Sequence, residues 1–216
     1  MPPLRRAILV ALAFAALDAP GTFSLPRPAL ADNALASLVA KPVSLPDMTL
    51  GSAKAPVTVV EYSSMTCPHC ADFAQNVFPM LRSKYIDSGK LRFVSREFPL
   101  DIKAAGASML ARCAANGDAQ KYFDAVAMLF KQQSELVEHT TDTLKDVGGK
   151  FGMSNEAVET CEKDNALLDK LKADQDFAYD KLKVDATPTF FINGERVKGS
   201  MSFEEFERKL APLLTR

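Results

Sequence analysis

Two cysteines three residues apart stand where an apolar, β-branched run gives way to a helical pattern. The run is residues 57–62, and the pair is Cys67 and Cys70, with Pro68 and His69 between them. Two thiols with this spacing at a helix start can close a small disulfide ring without moving the backbone. The helix N-terminus also stabilises a thiolate on the first of them. This arrangement favours chemistry in which disulfides are given or taken.

The segments around this pair predict a strand, a helix and a second strand. The apolar run predicts a buried strand, and residues 91–98 predict the second one. Pro79 lies within the helix and predicts a kink, because it removes one backbone hydrogen bond, and Gly89 ends the helix. We therefore expect a parallel βαβ unit within residues 51–100. The apolar positions at helical spacing are Cys70, Phe73, Ala74, Val77, Leu81 and Tyr85.

Residues 101–183 have a different character. They are rich in Ala, Leu, Lys and Glu and carry no strand signal, so we expect a block of four or five helices. The breaks between helices are expected at Asn116-Gly117, near His139-Thr140, at Gly148-Gly149 and Gly152, and near Asp164-Asn165.

The last part of the chain, residues 184–216, predicts two short strands and a helix. Asn193-Gly194 between the strands is a strong hairpin signal, because a type I′ turn needs two positive φ angles. A capping box from Ser202 to Glu205 opens the helix. These elements cannot bury their apolar faces alone, so they must join the βαβ unit in one sheet, with the helical block inserted between them. The apolar face of the last helix is Phe203, Phe206, Leu210, Leu213 and Leu214.

The N-terminus has the pattern of a secretory signal. Two arginines precede the apolar residues 7–17, which are too few to span a bilayer but suit the apolar region of a signal. Residues 29–31 offer an A-x-A cleavage site. We therefore expect residues 1–31 to be a signal peptide and residues 32–50 to be the N-terminal tail of an exported, periplasmic chain.

Charge and hydropathy exclude some partners. Removal of the signal takes away three arginines and one aspartate, which leaves a net charge of −3. This mild acidity argues against nucleic acid or an anionic membrane surface as a partner. Beyond the signal, no stretch is apolar enough to cross a membrane.

Three further features point to the cysteine pair. Glu61 interrupts the first apolar strand, where a buried carboxylate near a thiol can relay a proton, unless it is an exposed edge residue. A cis Pro188 would place the backbone of Thr187 beside the cysteines, free to bind an extended substrate, whereas a trans proline would simply open a strand. His69, if protonated beside Cys67, lowers the pKa of that thiol, unless it is merely solvated.

The two remaining cysteines, Cys113 and Cys161, predict a structural disulfide, because an even number of cysteines is typical of exported chains. The alternative is two free buried thiols. A zinc site is disfavoured, because about four ligands are needed and the only histidine outside the motif is His139. A purely structural disulfide between Cys67 and Cys70 is the other alternative.

These motifs resemble the DsbA family of thioredoxin-fold oxidoreductases. The resemblance extends over about residues 45–214, and three segments carry it. They are Val-Val-Glu-Tyr-Ser-Ser-Met-Thr-Cys-Pro-His-Cys (59–70), Arg-Glu-Phe-Pro-Leu (96–100) and Thr-Pro-Thr-Phe-Phe-Ile-Asn-Gly (187–194).

The resemblance implies a fold, a set of roles and partners. The fold is the α/β thioredoxin fold, βαβ plus ββα, with a helical insertion. Cys67 is then the exposed nucleophile, Cys70 the resolving cysteine, Glu61 the buried acid and Pro188 the cis proline. The implied activity is donation of the Cys67–Cys70 disulfide to reduced or unfolded exported proteins. A membrane partner of the DsbB type reoxidises the pair, and no metal or organic cofactor is involved.

Thr187 departs from the pattern, because the best-known family members carry valine at that position. Threonine there is more typical of the isomerase branch, so a disulfide isomerase or dithiol reductase is the alternative function. Isomerases usually carry an N-terminal dimerisation module, for which residues 32–46 are too short. A thiol-based copper chaperone is a further alternative, although Met65 is the only methionine adjacent to the motif.

Overall fold

The computed structural model describes residues 35–215, and its centre is a five-stranded mixed sheet in the order β1-β3-β2-β4-β5. β2 pairs in parallel with β3 and antiparallel with β4, so the βαβ part and the ββα part of the chain share one sheet. The expected α/β arrangement of βαβ, helical insertion and ββα is confirmed. The strands are Met48–Leu50 (β1), Val57–Ser63 (β2), Leu91–Glu97 (β3), Thr189–Ile192 (β4) and Glu195–Lys198 (β5).

Eight helical elements surround this sheet in the part of the chain after β1. The first, α1, is a continuous run that begins at Pro68 and ends at Ile86, and α8 follows the last strand. The six between them form the insertion. They are Ile102–Ala115 (α2), Ala119–Lys131 (α3), Gln133–Glu138 (α4), Thr140–Lys150 (α5), Asn155–Glu162 (α6) and Asn165–Asp180 (α7), and α8 is Phe203–Leu214.

The α1 run is disturbed near Pro79, as the sequence predicted. It alternates between α-helical and π-helical stretches, which are Pro68–Asp72, Phe73–Val77, Phe78–Leu81 and Arg82–Ile86. The N–H of Phe78 donates to the carbonyl of Phe73, five residues back. A proline in a helix interior leaves a carbonyl without its usual donor, and a π-type turn is one way to absorb that defect.

Alternation along β2 sends its side chains to two different cores. Val57 and Val59 face the larger core, and Val60 and Tyr62 face a smaller one on the other side of the sheet. The larger core contains many residues of the insertion and a group of aromatic rings, which fixes α1 and its cysteines against the sheet. The rings around Phe73 belong to Phe78, Phe93, Phe190 and Phe206, with centroids 4.8–6.2 Å apart.

The expectation of a simple N-terminal tail is wrong for its last residues. Met48–Leu50 forms β1 and pairs antiparallel with β3. Residues 35–39 are helical, and Val39 of that segment is buried in the smaller core. Three strand residues are too few to give a periodic pattern, so this pairing depends on β3 rather than on a local signal. The predicted signal peptide, residues 1–31, lies outside the described residues.

The insertion contains six helices, not four or five. The break between α3 and α4 was missed, because no glycine or proline marks it. The break predicted at Gly148-Gly149 is wrong, since α5 continues to Lys150. Gly148 serves packing instead: a Cβ there would lie 2.5 Å from a methyl carbon of Val158 on α6. The remaining predicted breaks coincide with helix ends.

Local signals in the last part of the chain are confirmed. Asn193 and Gly194 have φ angles of 47° and 91°, as a type I′ hairpin requires. Ser202 and Glu205 form both hydrogen bonds of the capping box at the start of α8. The hairpin places β4 beside β2, and it thereby brings the segment before β4 next to the start of α1.

Candidate active site

Cys67 lies at the junction of β2 and α1. It precedes the first helical residue, Pro68, and its own backbone is extended, with φ −83° and ψ 118°. Its carbonyl accepts hydrogen bonds from the N–H groups of Cys70 and Ala71, each at 3.1 Å. Proline suits the first helical position, because the N–H it lacks would have no partner within the helix. The sulfur of Cys67 is therefore held at a helix end that favours negative charge.

Both cysteines of the pair are reduced and buried. Cys67 is 6% exposed and Cys70 has no exposed surface. The resemblance implied an exposed nucleophile, but only an edge of Cys67 reaches the surface. Cys70 lies one helical turn further inside, where only an attack at Cys67 could begin an exchange.

The segment before β4 contacts the first cysteine. The peptide bond between Thr187 and Pro188 is cis. The thiol of Cys67 donates to the carbonyl of Thr187, with the sulfur and oxygen 3.3 Å apart, although 120 residues separate them. The structure thus brings the predicted substrate-binding segment, Thr187 and Pro188, into contact with the predicted nucleophile, Cys67.

The two thiols differ strongly in acidity. A hydrogen bond from the Cys70 thiol lowers the pKa of Cys67 to about 5 against the opposing effect of burial. The Thr187 side chain and the backbone N–H groups of Cys70 and His69 act in the same direction. The pKa of Cys70 is raised, because its proton is shared with the Cys67 thiolate and because it is buried. The backbone N–H of His69 is one of these groups, and its imidazole is exposed to solvent, so the effect predicted for the imidazole on the pKa of Cys67 stays a prediction.

Glu61 is a buried acid on β2, not an edge residue. It is 6% exposed, and its Oε1 has no hydrogen-bond partner. Burial raises its pKa to about 8, and the charge of Cys67 adds to this, while Ser63 opposes it. At neutral pH the carboxyl therefore holds a proton. Glu61 in turn raises the pKa of Cys70, which places the acid within electrostatic reach of the resolving thiol.

A small cleft beside Glu61 leads towards the surface between α1 and α3. Its volume is about 30 Å³, which is enough for a water molecule. Apart from Glu61 and Ser95, its walls are apolar, and water in this cleft offers a route by which a proton on Glu61 could exchange with solvent. The apolar lining consists of Phe73, Ala74, Phe78, Phe93, Phe123, Val126, Ala127 and Phe130.

Sequence reasoning missed two residues of this site. Ser63 lies two positions after Glu61 on the same face of β2, and its buried hydroxyl also has no partner. The strand alternation could have identified it. Gln133, at the start of α4, donates to the carbonyls of Met65 and Cys67. Nothing in the sequence near Gln133 signals this contact, because it depends on how the insertion packs against the sheet.

The second cysteine pair is bonded, as the sequence predicted. Cys113 on α2 and Cys161 on α6 form a disulfide with Cα atoms 6.3 Å apart. It closes a ring within the insertion and has no part in the cysteine pair of α1. By loop-closure entropy, a ring of this length contributes about 4 kcal/mol, less any strain.

Neither a metal-binding cluster nor a membrane-spanning helix is present among the described residues. Within residues 35–215, no group of three or more His, Cys, Asp or Glu side chains is placed to hold a metal ion. No helix of that same range is both long and apolar enough to cross a membrane.

Comparisons with known proteins agree with this geometry. A family model described as thioredoxin matches residues 44–211. A putative protein-disulfide oxidoreductase of Rickettsia bellii is 37% identical over 150 residues, which is 68% of this chain and 57% of the relative. Disulfide bond formation protein D of Bacillus subtilis is 25% identical over 165 residues, 74% of each chain.

Among solved structures, alpha-DsbA1 of Wolbachia pipientis superposes with a TM-score of 0.71 at 29% identity. The match covers 83% of this chain and 96% of that one. The resemblance to DsbA proteins seen in the sequence is therefore confirmed in three dimensions. The chain belongs to the thioredoxin family, and its fold is that of the DsbA proteins.

Proposed function

We propose that this chain is a thiol:disulfide oxidoreductase that donates its Cys67–Cys70 disulfide to exported proteins during their oxidative folding. The observation that carries the proposal is the difference in acidity between the two thiols. A thiolate on Cys67 is stable at neutral pH, with its pKa near 5, so the reduced form is favoured. An oxidised pair whose reduced form is favoured passes its disulfide on readily.

The first step breaks the Cys67–Cys70 bond. A substrate thiolate attacks the sulfur of Cys67, forms a mixed disulfide with it and displaces Cys70 as a thiolate. Because the pKa of Cys70 is raised, this leaving thiolate takes up a proton at once. Glu61, protonated below about pH 8, is the donor, and water in the adjacent cleft restores its proton.

The second step releases the substrate. A second substrate thiolate attacks the substrate sulfur of the mixed disulfide, which forms the new disulfide and displaces Cys67 as a thiolate. A thiol of low pKa leaves faster, so the acidity of Cys67 favours this step also. The extended segment at Thr187 and Pro188, which contacts Cys67, lies where a substrate strand can pair with its backbone.

The cellular setting follows from the N-terminal pattern. The predicted signal peptide supports a periplasmic location, where disulfides persist. There its partners are reduced or unfolded exported proteins, and a membrane partner of the DsbB type reoxidises Cys67 and Cys70. No metal or organic cofactor is needed, because the disulfide itself accepts the two electrons that the substrate thiols give up.

The test is the reduction potential of the Cys67–Cys70 pair. The full-length mature protein is equilibrated in glutathione buffers, and the fraction of alkylated Cys67 is measured by mass, since the chain has no tryptophan to report the change. We expect a potential well above the value of about −270 mV for thioredoxin. A potential as low as that of thioredoxin would contradict disulfide donation. The variant Cys67→Ser, which cannot form the Cys67–Cys70 disulfide, serves as the control.

A disulfide isomerase is the second candidate, and Thr187 favours it. Its hydroxyl faces Cys67 and adds to the stability of the thiolate, which keeps the pair reduced and ready to attack scrambled disulfides. Refolding of a reduced substrate and of a scrambled substrate distinguishes the two functions. An oxidase accelerates the first with the oxidised protein, whereas an isomerase accelerates the second with the reduced protein.

A further inference from the structure

One side chain of the insertion contacts the backbone of the proposed nucleophile. Gln133, the first residue of α4, donates from Nε2 to the carbonyl of Met65 at 2.8 Å and to the carbonyl of Cys67 at 3.0 Å. Both hydrogens of the amide are thus used on one short loop, 66 and 68 residues earlier in the chain. Neither contact is part of regular secondary structure, so the pair of bonds is a specific link between the insertion and the sheet.

The two carbonyls bracket the segment that positions the Cys67 sulfur. The N–H of Cys67 donates to the carbonyl of Ser64 at 3.1 Å, which closes a turn just before the helix. The Cys67 carbonyl that Gln133 contacts also accepts from Cys70 and Ala71 in the first turn of α1. Gln133 therefore holds the point at which the loop becomes the helix.

A second link from the insertion reaches the same loop but not the cysteine. Thr66 donates from Oγ1 to Asp101, the N-cap residue of α2, at 2.7 Å. That bond fixes a side chain of the loop, whereas the bonds of Gln133 fix the backbone on both sides of Thr66. Of the two links, Gln133 is the one that contacts Cys67 itself.

We propose that Gln133 is a positioning residue for Cys67: its amide holds the Cys67 backbone so that the sulfur stays within reach of the N–H groups of α1 and the hydroxyl of Thr187. The insertion thereby contributes to the reactivity of a thiol that belongs to the βαβ half. The inference rests on the proposed role of Cys67 as the nucleophile.

The neighbouring residue supplies a matched control. Gln132 is also a glutamine next to the start of α4, but its amide donates to Asp146 on α5 at 3.3 Å, away from the loop. Substitution of Gln132 changes the same residue type at nearly the same place. It leaves both carbonyls of the loop with their donor.

The experiment is a titration of the Cys67 thiolate by its ultraviolet absorbance in the reduced full-length protein. Because a hydrogen bond contributes modestly, Gln133→Ala is expected to raise the pKa of Cys67 by about half a unit to one unit. Gln133→Glu is expected to raise it further, because it puts a negatively charged acceptor opposite two carbonyls. Gln132→Ala and Gln132→Glu are expected to leave it unchanged.

The outcomes separate the inference from the proposed function. If the unmodified protein shows a pKa typical of free cysteine, the proposed function fails. If that pKa is low but Gln133→Ala leaves it unchanged, or lowers only the thermal stability, the positioning role is overturned. An equal shift in Gln132→Glu and Gln133→Glu would also overturn it, since the cause would then be charge at a distance. Gln133→Asn, too short to span both carbonyls, repeats the test if the alanine variant does not fold.

Discussion

Glu61 and Glu97 are two buried glutamates on neighbouring strands, and they differ in their partners. Each is 6% exposed. Arg112 donates to both carboxylate oxygens of Glu97, at 2.6 and 2.7 Å, and Tyr122 adds a bond at 2.8 Å. Glu61 has an oxygen without any partner, and its pKa is raised to about 8. At Glu97 the cost of burying a charge is offset by Arg112 and Tyr122. At Glu61 that cost is not fully offset, so the carboxyl keeps its proton.

Several other buried polar groups also divide into those that are paired and those that are not. Arg96 is paired with Asp47 and Tyr62, and Arg112 also donates to the carbonyl of Pro46, so these groups attach the segment before β1 to the sheet. Three of the buried oxygens without a partner, in Glu61, Ser63 and Thr187, lie around the two thiols. Buried polar groups in proteins normally have hydrogen-bond partners. A cluster of buried polar groups without partners therefore indicates a reactive site.

The largest expected effect comes from removing the partner of Glu97. Arg112→Met leaves the Glu97 carboxylate buried without its cation, and we expect a loss of about 3–5 kcal/mol in the free energy of unfolding. Chemical denaturation of the protein with its disulfides intact measures this loss.

A double variant distinguishes the cost of an unpaired buried charge from the cost of losing both charges. Arg112→Met with Glu97→Met replaces the charges by apolar groups, so most of the lost stability should return. If the single variant loses less than about 1 kcal/mol, the buried carboxylate of Glu97 does not depend on Arg112 for its stability.

Substitution of Glu61 should stabilise the fold rather than destabilise it, by an amount that depends on pH. Its pKa is about 8 in the folded protein and 4.5 in the reference state, so the folded form keeps a proton that the unfolded chain releases. Stability from this group is present below about pH 4.5 and is lost as the pH rises towards 8. Glu61→Gln removes the loss, so the variant should gain stability relative to the natural chain as the pH rises.

The size of this gain is bounded by the shift in pKa. The ceiling is ~5 kcal/mol, and the cleft beside Glu61, which admits water, reduces the expected gain to about half of that. Denaturation at several pH values between 4.5 and 8 measures it. A constant difference between the two proteins would show that Glu61 is not held protonated by the fold.

The same substitution should slow the reaction. With Glu61→Gln, the leaving Cys70 thiolate has no acid beside it, so mixed-disulfide formation at neutral pH should fall by about 10-fold or more. Stopped-flow measurement with a small thiol follows this step. In the unmodified protein the assistance from Glu61 should be lost above about pH 8, where the carboxyl gives up its proton, and the variant should show no such change. Ser95→Ala, which changes the same cleft but keeps the acid, is the control. A rate equal to that of the natural chain would remove Glu61 from the mechanism.

Local chemistry explains which features the sequence could predict. The hairpin at Asn193 and Gly194, the capping box at Ser202 and the helix start at Cys67 are each determined by a few adjacent residues. The resemblance to a known family then implied that Pro188 is cis, which is the condition for the backbone of Thr187 to lie beside the cysteines. Both kinds of signal can be recognised without coordinates.

The features that the sequence did not reveal depend on contacts between distant elements. The Arg112–Glu97 pair, the Gln133 link and the pairing of β1 all join segments whose separation only the packed insertion fixes. Gly148 misled the prediction, because a glycine needed for close helix packing cannot be distinguished locally from one that ends a helix.

The smallest expected effect tests the same comparison on two threonines that flank Pro188. The Thr187 hydroxyl is buried without a hydrogen-bond partner beside the Cys67 thiol, and it lowers the pKa of Cys67 because it stabilises the thiolate. Thr189, in contrast, donates to the carbonyl of Ala186 at 2.7 Å. Thr187→Val should therefore raise the pKa of Cys67 by less than about one unit and leave stability nearly unchanged.

Thr189→Val is the matched control and should give the reverse result. It removes a satisfied hydrogen bond, so it should cost about 1 kcal/mol of stability and leave the Cys67 titration unchanged. Thiolate absorbance and chemical denaturation of both variants provide the two measurements. If Thr187→Val loses stability as Thr189→Val does, its hydroxyl supports the fold rather than the thiolate. The balance between disulfide donation and isomerisation would then have to be sought elsewhere than at this position.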